Sequence, residues 1–261
     1  MSISVTSGGP TGSGGITVVS GGPIGAGPAS PLDILSIIKE VCKYVGLDVP
    51  TQVYGSTERE HVELASYANE VAQQIAFDTH DWQRLRSTLT ATGDGVTEAF
   101  DLPSDYKRML KKARVWSSWS PFAPLTHYPD ADEWLGLSVQ QFTPVIGGWT
   151  IIANQMHVLP VIPSGATVKF VYLNNMYALG DDTTRFTQDT DTFVLNDRLL
   201  KLGLIWYWKQ QKGQPYAEDL ETYQTALSQL IGADKGSNII EVGTRRLPPD
   251  ISLAYPGSVG I

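Results

Sequence analysis

The chain has 261 residues, a net charge of −8, 42% hydrophobic and 10% aromatic content, and one cysteine, Cys42. That is enough apolar material to fill the core of one or two domains, and it excludes both an internal disulfide and a multi-cysteine zinc site. The chain carries no apolar run of about 18 residues and no secretory signal at its N-terminus, so a soluble protein made in the cytoplasm, with no membrane partner, is expected.

The charge is unevenly placed. Residues 1–30 carry no charged side chain, and residues 234–261 balance Asp234, Glu241 and Asp250 against Lys235, Arg245 and Arg246, so the acidic excess lies in the middle. Such a body argues against tight wrapping of nucleic acid, which needs basic phosphate contacts, yet suits DNA that passes without sticking.

Residues 1–30 contain a repeat, Ser7-Gly-Gly-Pro-Thr-Gly-Ser-Gly14 and Ser20-Gly-Gly-Pro-Ile-Gly-Ala-Gly27, on either side of the strand-capable Ile16-Thr17-Val18-Val19. An arm of this composition buries too little apolar surface to offset its ordering entropy. It is expected to take its order from outside its own fold, with Ile16, Val18 and Val19 as contact residues. Its glycines do not form a phosphate cradle: no Gly-Lys-Ser/Thr follows, and the spacing is not G-x-G-x-x-G.

Residues 31–85 read as two helices. Ser30 is expected to cap the first, with Pro31 at its first position, Ile34, Ile38, Val41 and Val45 as its buried stripe, and Gly46 as its end. Thr57-Glu58-Arg59-Glu60 resembles a capping box for the second, whose apolar face is Leu64, Ala68, Val71 and Ile75.

Residues 86–180 shift to a strand pattern. Thr88–Thr92 and Val96–Phe100 flank Gly93-Asp94-Gly95, a hairpin signal. Met109–Trp116, Trp149–Ala153, Met156–Leu159 and Val168–Leu173 are further strand candidates, and a short helix with Asp130 as its cap is expected over Asp130–Leu137.

Residues 181–233 form a helical hairpin on the same reasoning. Leu199, Leu202 and Trp206 follow helical spacing, as do Leu220, Tyr223, Leu227 and Leu230. Gly213 suits a left-handed position closing the first helix, and Pro215 suits the first turn of the second. Trp206, Tyr207 and Trp208 sweep about 200° of the helix, more than one apolar stripe needs, so at least one of them meets a second surface. That surface is either another part of the fold or a neighbouring subunit, for which Trp206 and Trp208 are candidates. Residues 234–261 form a second arm, with Ile239, Ile240, Arg245 and Arg246 as its contact candidates. The fold class expected is α+β: two N-terminal helices and a C-terminal helical hairpin packed together, an inserted β-rich module, and extended terminal arms.

Few residues suggest chemistry. His61-Val-Glu63 has the spacing of a zinc deaminase, but the paired cysteines are missing. His80, His127 and His157 are scattered, so no metal, cofactor or catalytic residue is expected. Asp181, Asp182, Asp189 and Asp191 could serve as a glycosidase pair, though Asp and Thr at these spacings favour turns and caps. Trp116, Trp119 and Trp149 could bind carbohydrate. Lys107, Arg108, Lys111 and Lys112 form a basic run that either meets passing DNA or guards a solvated strand edge.

Phe186-Thr-Gln-Asp-Thr-Asp-Thr192, followed by the stretch from Leu199 to Tyr223, resembles the head-to-tail adaptor proteins of tailed bacteriophages. The likeness extends more loosely from Leu32 to Ile231 and takes in His80-Asp-Trp82 and Asp101-Leu-Pro-Ser-Asp-Tyr106. The resemblance implies a virion structural protein, not an enzyme: a homo-oligomeric ring, usually twelvefold, that joins the portal to a tail or nozzle protein and surrounds a double-stranded DNA channel. By analogy the C-terminal arm is expected to meet the portal. The alternatives from other classes are a peptidoglycan-degrading enzyme and a carbohydrate-binding module of a phage tail.

Overall fold

The computed structural model describes the backbone of residues 16–19, and residues 31–120, 123–139, 144 and 146–235 in full. Over these residues the protein is mixed α+β, with five α-helices and several β-sheets.

Two helices come from the N-terminal part of the described chain, two from its C-terminal part, and a short one from between them. Helix α1 (Ile34–Val45) is capped by Asp33, whose side chain accepts from the Ser36 amide, and closed by Gly46 at φ 79°. The cap is therefore not Ser30 with Pro31 in the first turn: Asp33 lies closer to the apolar stripe and its carboxylate reaches the third amide of the helix. Helix α2 (Arg59–Gln73) starts after Glu58 with no side-chain cap, so the capping box expected at Thr57 does not form. Its stripe of Leu64, Ala68, Val71 and Ile75 is fully buried.

Beyond Gln73 the helix widens into a π-turn, Gln74–Thr79. The Ile75 carbonyl here accepts from the Trp82 indole N–H and from the Thr79 hydroxyl, both at 2.7 Å, which gives this backbone group partners outside the helical ladder.

Helices α3 (Ala131–Val139), α4 (Asp197–Gln211) and α5 (Ala217–Asp234) follow later in the chain. The turn after α4 is a Schellman closure: Gly213 at φ 67° donates to Gln210 O, and Gln214 donates to Lys209 O at 2.8 Å. Pro215 precedes α5 rather than entering its first turn, because the helix begins at Ala217.

The strands are β1 (Ile16–Val19), β2 (Arg86–Thr92), β3 (Ala99–Asp101), β4 (Tyr106–Met109), β5 (Trp116–Ser117), β6 (Thr126–His127), β7 (Gly148–Ile152), β8 (Gln155–Leu159), β9 (Thr167–Asn174), β10 (Ala178–Leu179) and β11 (Thr192–Phe193). One sheet runs β1-β2-β9-β4, with β5 also on β9; a second runs β3-β8-β7-β6; β10 and β11 pair alone. The hairpin expected around Gly93-Asp94-Gly95 does not form. β2 pairs along its length with β9, from Arg86↔Leu173 to Thr92↔Thr167, while β3 leaves for β8. Asp94 turns the chain by accepting from the Val96 and Thr97 amides, and Gly93 passes so close to Ile162 that a side chain there would collide with it.

The two larger sheets share one core. Leu89, Ala91, Val168, Phe170 and Tyr172 come from the first, and Phe100, Trp149, Met156 and Val158 from the second. A separate cluster unites α1, α2, α4 and α5, and Leu173 at the end of β9 belongs to it. β9 thus takes part in both cores.

The N-terminal segment differs from its expectation. Ile16–Val19 pairs antiparallel with β2 of its own chain, Ile16 opposite Ala91 and Val18 opposite Leu89. The remainder of both expected arms, including Ile239, Ile240, Arg245 and Arg246, lies outside the described residues.

Candidate functional site

Helix α4 answers the question its three aromatics raise. Packed against α1, α2 and α5, it has protein on several sides. Trp206 tilts against Tyr223 of α5 at 5.9 Å, while Tyr207 and Trp208 meet Tyr67 of α2 edge-on at 5.2 and 6.0 Å. Trp206 is 9% exposed and Trp208 2% exposed, so neither ring offers a face to a partner from this position. Gly203 permits the approach of α4 to α2: a Cβ there would lie 2.5 Å from Val71 Cγ1.

The acidic loop is consumed by backbone. Asp189 accepts from the Val53 and Tyr54 amides at 3.0 and 2.9 Å, which ties the loop before α4 to the segment between α1 and α2. Asp191, 1% exposed, accepts from the Thr187 and Gln188 amides at 2.6 and 2.9 Å. Asp182 accepts from the hydroxyl and amide of Thr184, and those bonds hold its carboxyl below the usual carboxylate range. Asp181 accepts from the Gln188 side chain. These carboxylates act as turn formers, their oxygens taken up by backbone amides and neighbouring side chains.

The histidines are equally dispersed. His61 meets Ser56, His80 meets Asp234, and His127 stacks on the buried Trp149 at 4.2 Å, where burial lowers its pKa. Among the described residues no group of three or more His, Cys, Asp or Glu could hold a metal ion. Cys42 is buried, and that burial pushes its thiol up to about 11, which leaves little thiolate at neutral pH. Of the proposed carbohydrate platform, Trp149 is buried in the module core, Trp119 packs against that core and Trp116 is exposed.

The basic run divides into two parts. Arg108 Nη2 contacts Asp81 Oδ1 at 2.6 Å and the Phe77 carbonyl at 3.2 Å, joining β4 to the end of the π-turn. Lys107 lies over the Phe77 ring at 4.8 Å. Lys111 and Lys112 are exposed in the turn after β4. Arg108 is therefore structural, while Lys107, Lys111 and Lys112 keep their cationic ends near solvent.

Two features escaped sequence reasoning. Asp234, the last residue of α5, accepts from His80 Nε2 at 3.0 Å and from the Gln83 amide at 3.1 Å, and its own carbonyl accepts from the Gln83 side chain. The C-terminal end of α5 is thereby fixed to the loop after α2. No local motif announces this, because its partners lie about 150 residues away. The β-rich region also exposes Val96, Trp116, Leu135, Val139 and Ile146, apolar side chains left uncovered among the described residues. Only their tertiary placement reveals it.

A family model described as SU10 adaptor protein matches residues 32–246 of the chain. No curated protein matches it.

Proposed function

The chain belongs to the SU10 adaptor protein family, a phage head-to-tail adaptor family, and from that premise we propose that it forms a ring joining the portal to the tail around the DNA channel. The family match carries this reading, because it spans both hydrophobic cores and most of the chain. As a virion component the protein has a structural role, and the packing is consistent with one: carboxylates, histidines and aromatics that could have built a catalytic site instead hold turns and cores together.

A ring of twelve copies requires heterologous contacts, in which two different patches of each subunit meet. The helical frame around α4 supplies a rigid wall. The exposed apolar residues of the β-rich region, Leu135, Val139 and Ile146 among them, provide surface for a neighbour. A net charge of −8 disfavours persistent phosphate contact in the channel, while Lys107, Lys111 and Lys112 are candidates to face DNA.

Portal attachment falls to the segment after Lys235, through Ile239, Ile240, Arg245 and Arg246. Asp234 anchors the end of α5, after which that segment follows in sequence. Truncation after Lys235 keeps the Asp234 contacts intact; the truncated chain should fold normally and fail to bind purified portal. Portal binding equal to that of the full chain would refute this role.

A further inference from the structure

The edge strand β1 carries an inference that rests on the ring reading and goes beyond it. β1 is joined to α1 by residues 20–33, which contain one charged residue, Asp33, and four glycines. Fully extended, fourteen residues span at most ~45–50 Å. A folded body of about 200 residues is roughly 40 Å across. The connection is therefore long enough to carry β1 to the corresponding position on an adjoining copy.

The acceptor has a defined register and few barriers to exchange. β2 buries Ser87, Leu89 and Ala91 on one face, and the pairing sets Val18 opposite Leu89 and Ile16 opposite Ala91. A one-residue slip would move the apolar positions of β1 to the opposite face, so the site selects one alignment. Within Ser87–Thr92, β2 carries no charge or proline, and neither does Ile16–Val19. Edges that must stay solitary are ordinarily guarded by such residues. β1 ends its sheet in the order β1-β2-β9-β4, and an unguarded edge strand on a long Gly/Pro-rich connection has the features of an exchangeable element.

We propose that in the assembled ring β1 is donated to the β2 edge of the adjoining copy, so that the pairing seen within one chain becomes a seam between two. Exchange conserves every backbone hydrogen bond of the β1–β2 ladder. Around a closed ring each copy gives one strand and receives one, so no β2 edge is left unpaired.

Thr17 and Thr90 are opposite one another in the register, and antiparallel pairs bring Cα atoms within disulfide range. The test uses full-length Thr17→Cys and Thr90→Cys chains, singly and combined, assembled with purified portal, oxidised, and resolved on a non-reducing gel. Exchange predicts a covalent two-chain product when the two single variants are mixed, and a ladder of linked chains from the double variant. A double variant that assembles but forms only the intrachain disulfide overturns the exchange and leaves the ring intact. A chain that remains monomeric with portal and carries only the intrachain link overturns both. Val19→Cys with Thr88→Cys, the adjoining pair in the same register, supplies the same readouts if the first pair fails to fold.

Discussion

A Cβ added to Gly203 would lie 2.5 Å from Val71 Cγ1, inside any normal contact distance, so α4 and α2 approach as closely as they do because residue 203 has no side chain. Tyr223 of α5 closes the same space at 3.4 Å. Valine is stiff and Val71 is fully buried, so neither can yield cheaply. Gly203→Val should lower stability by about 1–3 kcal/mol through overpacking. Urea denaturation of the purified chain measures it; unchanged stability would show that the two helices can move apart freely.

Arg108 joins β4 to the π-turn rather than facing solvent, and its removal should be felt in stability. Burial pushes the Asp81 carboxyl up, but the Arg108 guanidinium and the Lys111 amide more than reverse that and hold it below the usual range. Because the folded pKa is depressed, the contribution is present above the unfolded value of about 3.9 and is lost as pH falls through the folded value. Arg108→Ala should cost about 1.5–3 kcal/mol at pH 7, and the gap from the unsubstituted chain should close as acid protonates Asp81. Denaturation series at pH 7 and in the acid range test both halves.

The expectation for Asp191 is structural. Asp191→Ala strands the Thr187 and Gln188 amides and should cost about 1.5–3 kcal/mol. Peptidoglycan zymography alongside denaturation separates the readings. A clearing activity that disappears in a variant of unchanged stability would restore the glycosidase interpretation.

Trp208→Ala empties a site in the helical core and should lower stability by about 3–5 kcal/mol. The loss belongs to the isolated subunit, so it should appear at dilutions where no oligomer persists. A variant as stable as the parent but defective only in assembly would place Trp208 at a subunit contact instead.

The long helices were legible because their stripes repeat at 3.6 residues and their ends carry local chemistry, as at Gly46 and Gly213. Competing signals caused the local misses. Both Ser30 and Asp33 are good caps, and only the start of burial at Ile34 decides between them. Gly93-Asp94-Gly95 is a strong hairpin cue, yet β9 offers β2 a longer complementary edge from far along the chain. The π-turn could not be read at all, because Trp82 reaches back to the Ile75 carbonyl only once the chain has folded. For the candidate site, the turn chemistry of Asp189 and Asp191 was visible in composition, whereas the partners of Asp234 and Arg108 were not. Periodicity could say that Trp206, Tyr207 and Trp208 needed more than one surface; it could not say that α1, α2 and α5 all belong to the same subunit.

The ring itself is tested most directly by native mass spectrometry of the full-length chain mixed with purified portal. A complex whose mass equals the portal oligomer plus about twelve copies of the chain is the predicted result, following the closed-ring symmetry of most homo-oligomers. A chain that stays monomeric beside an unchanged portal peak would contradict it.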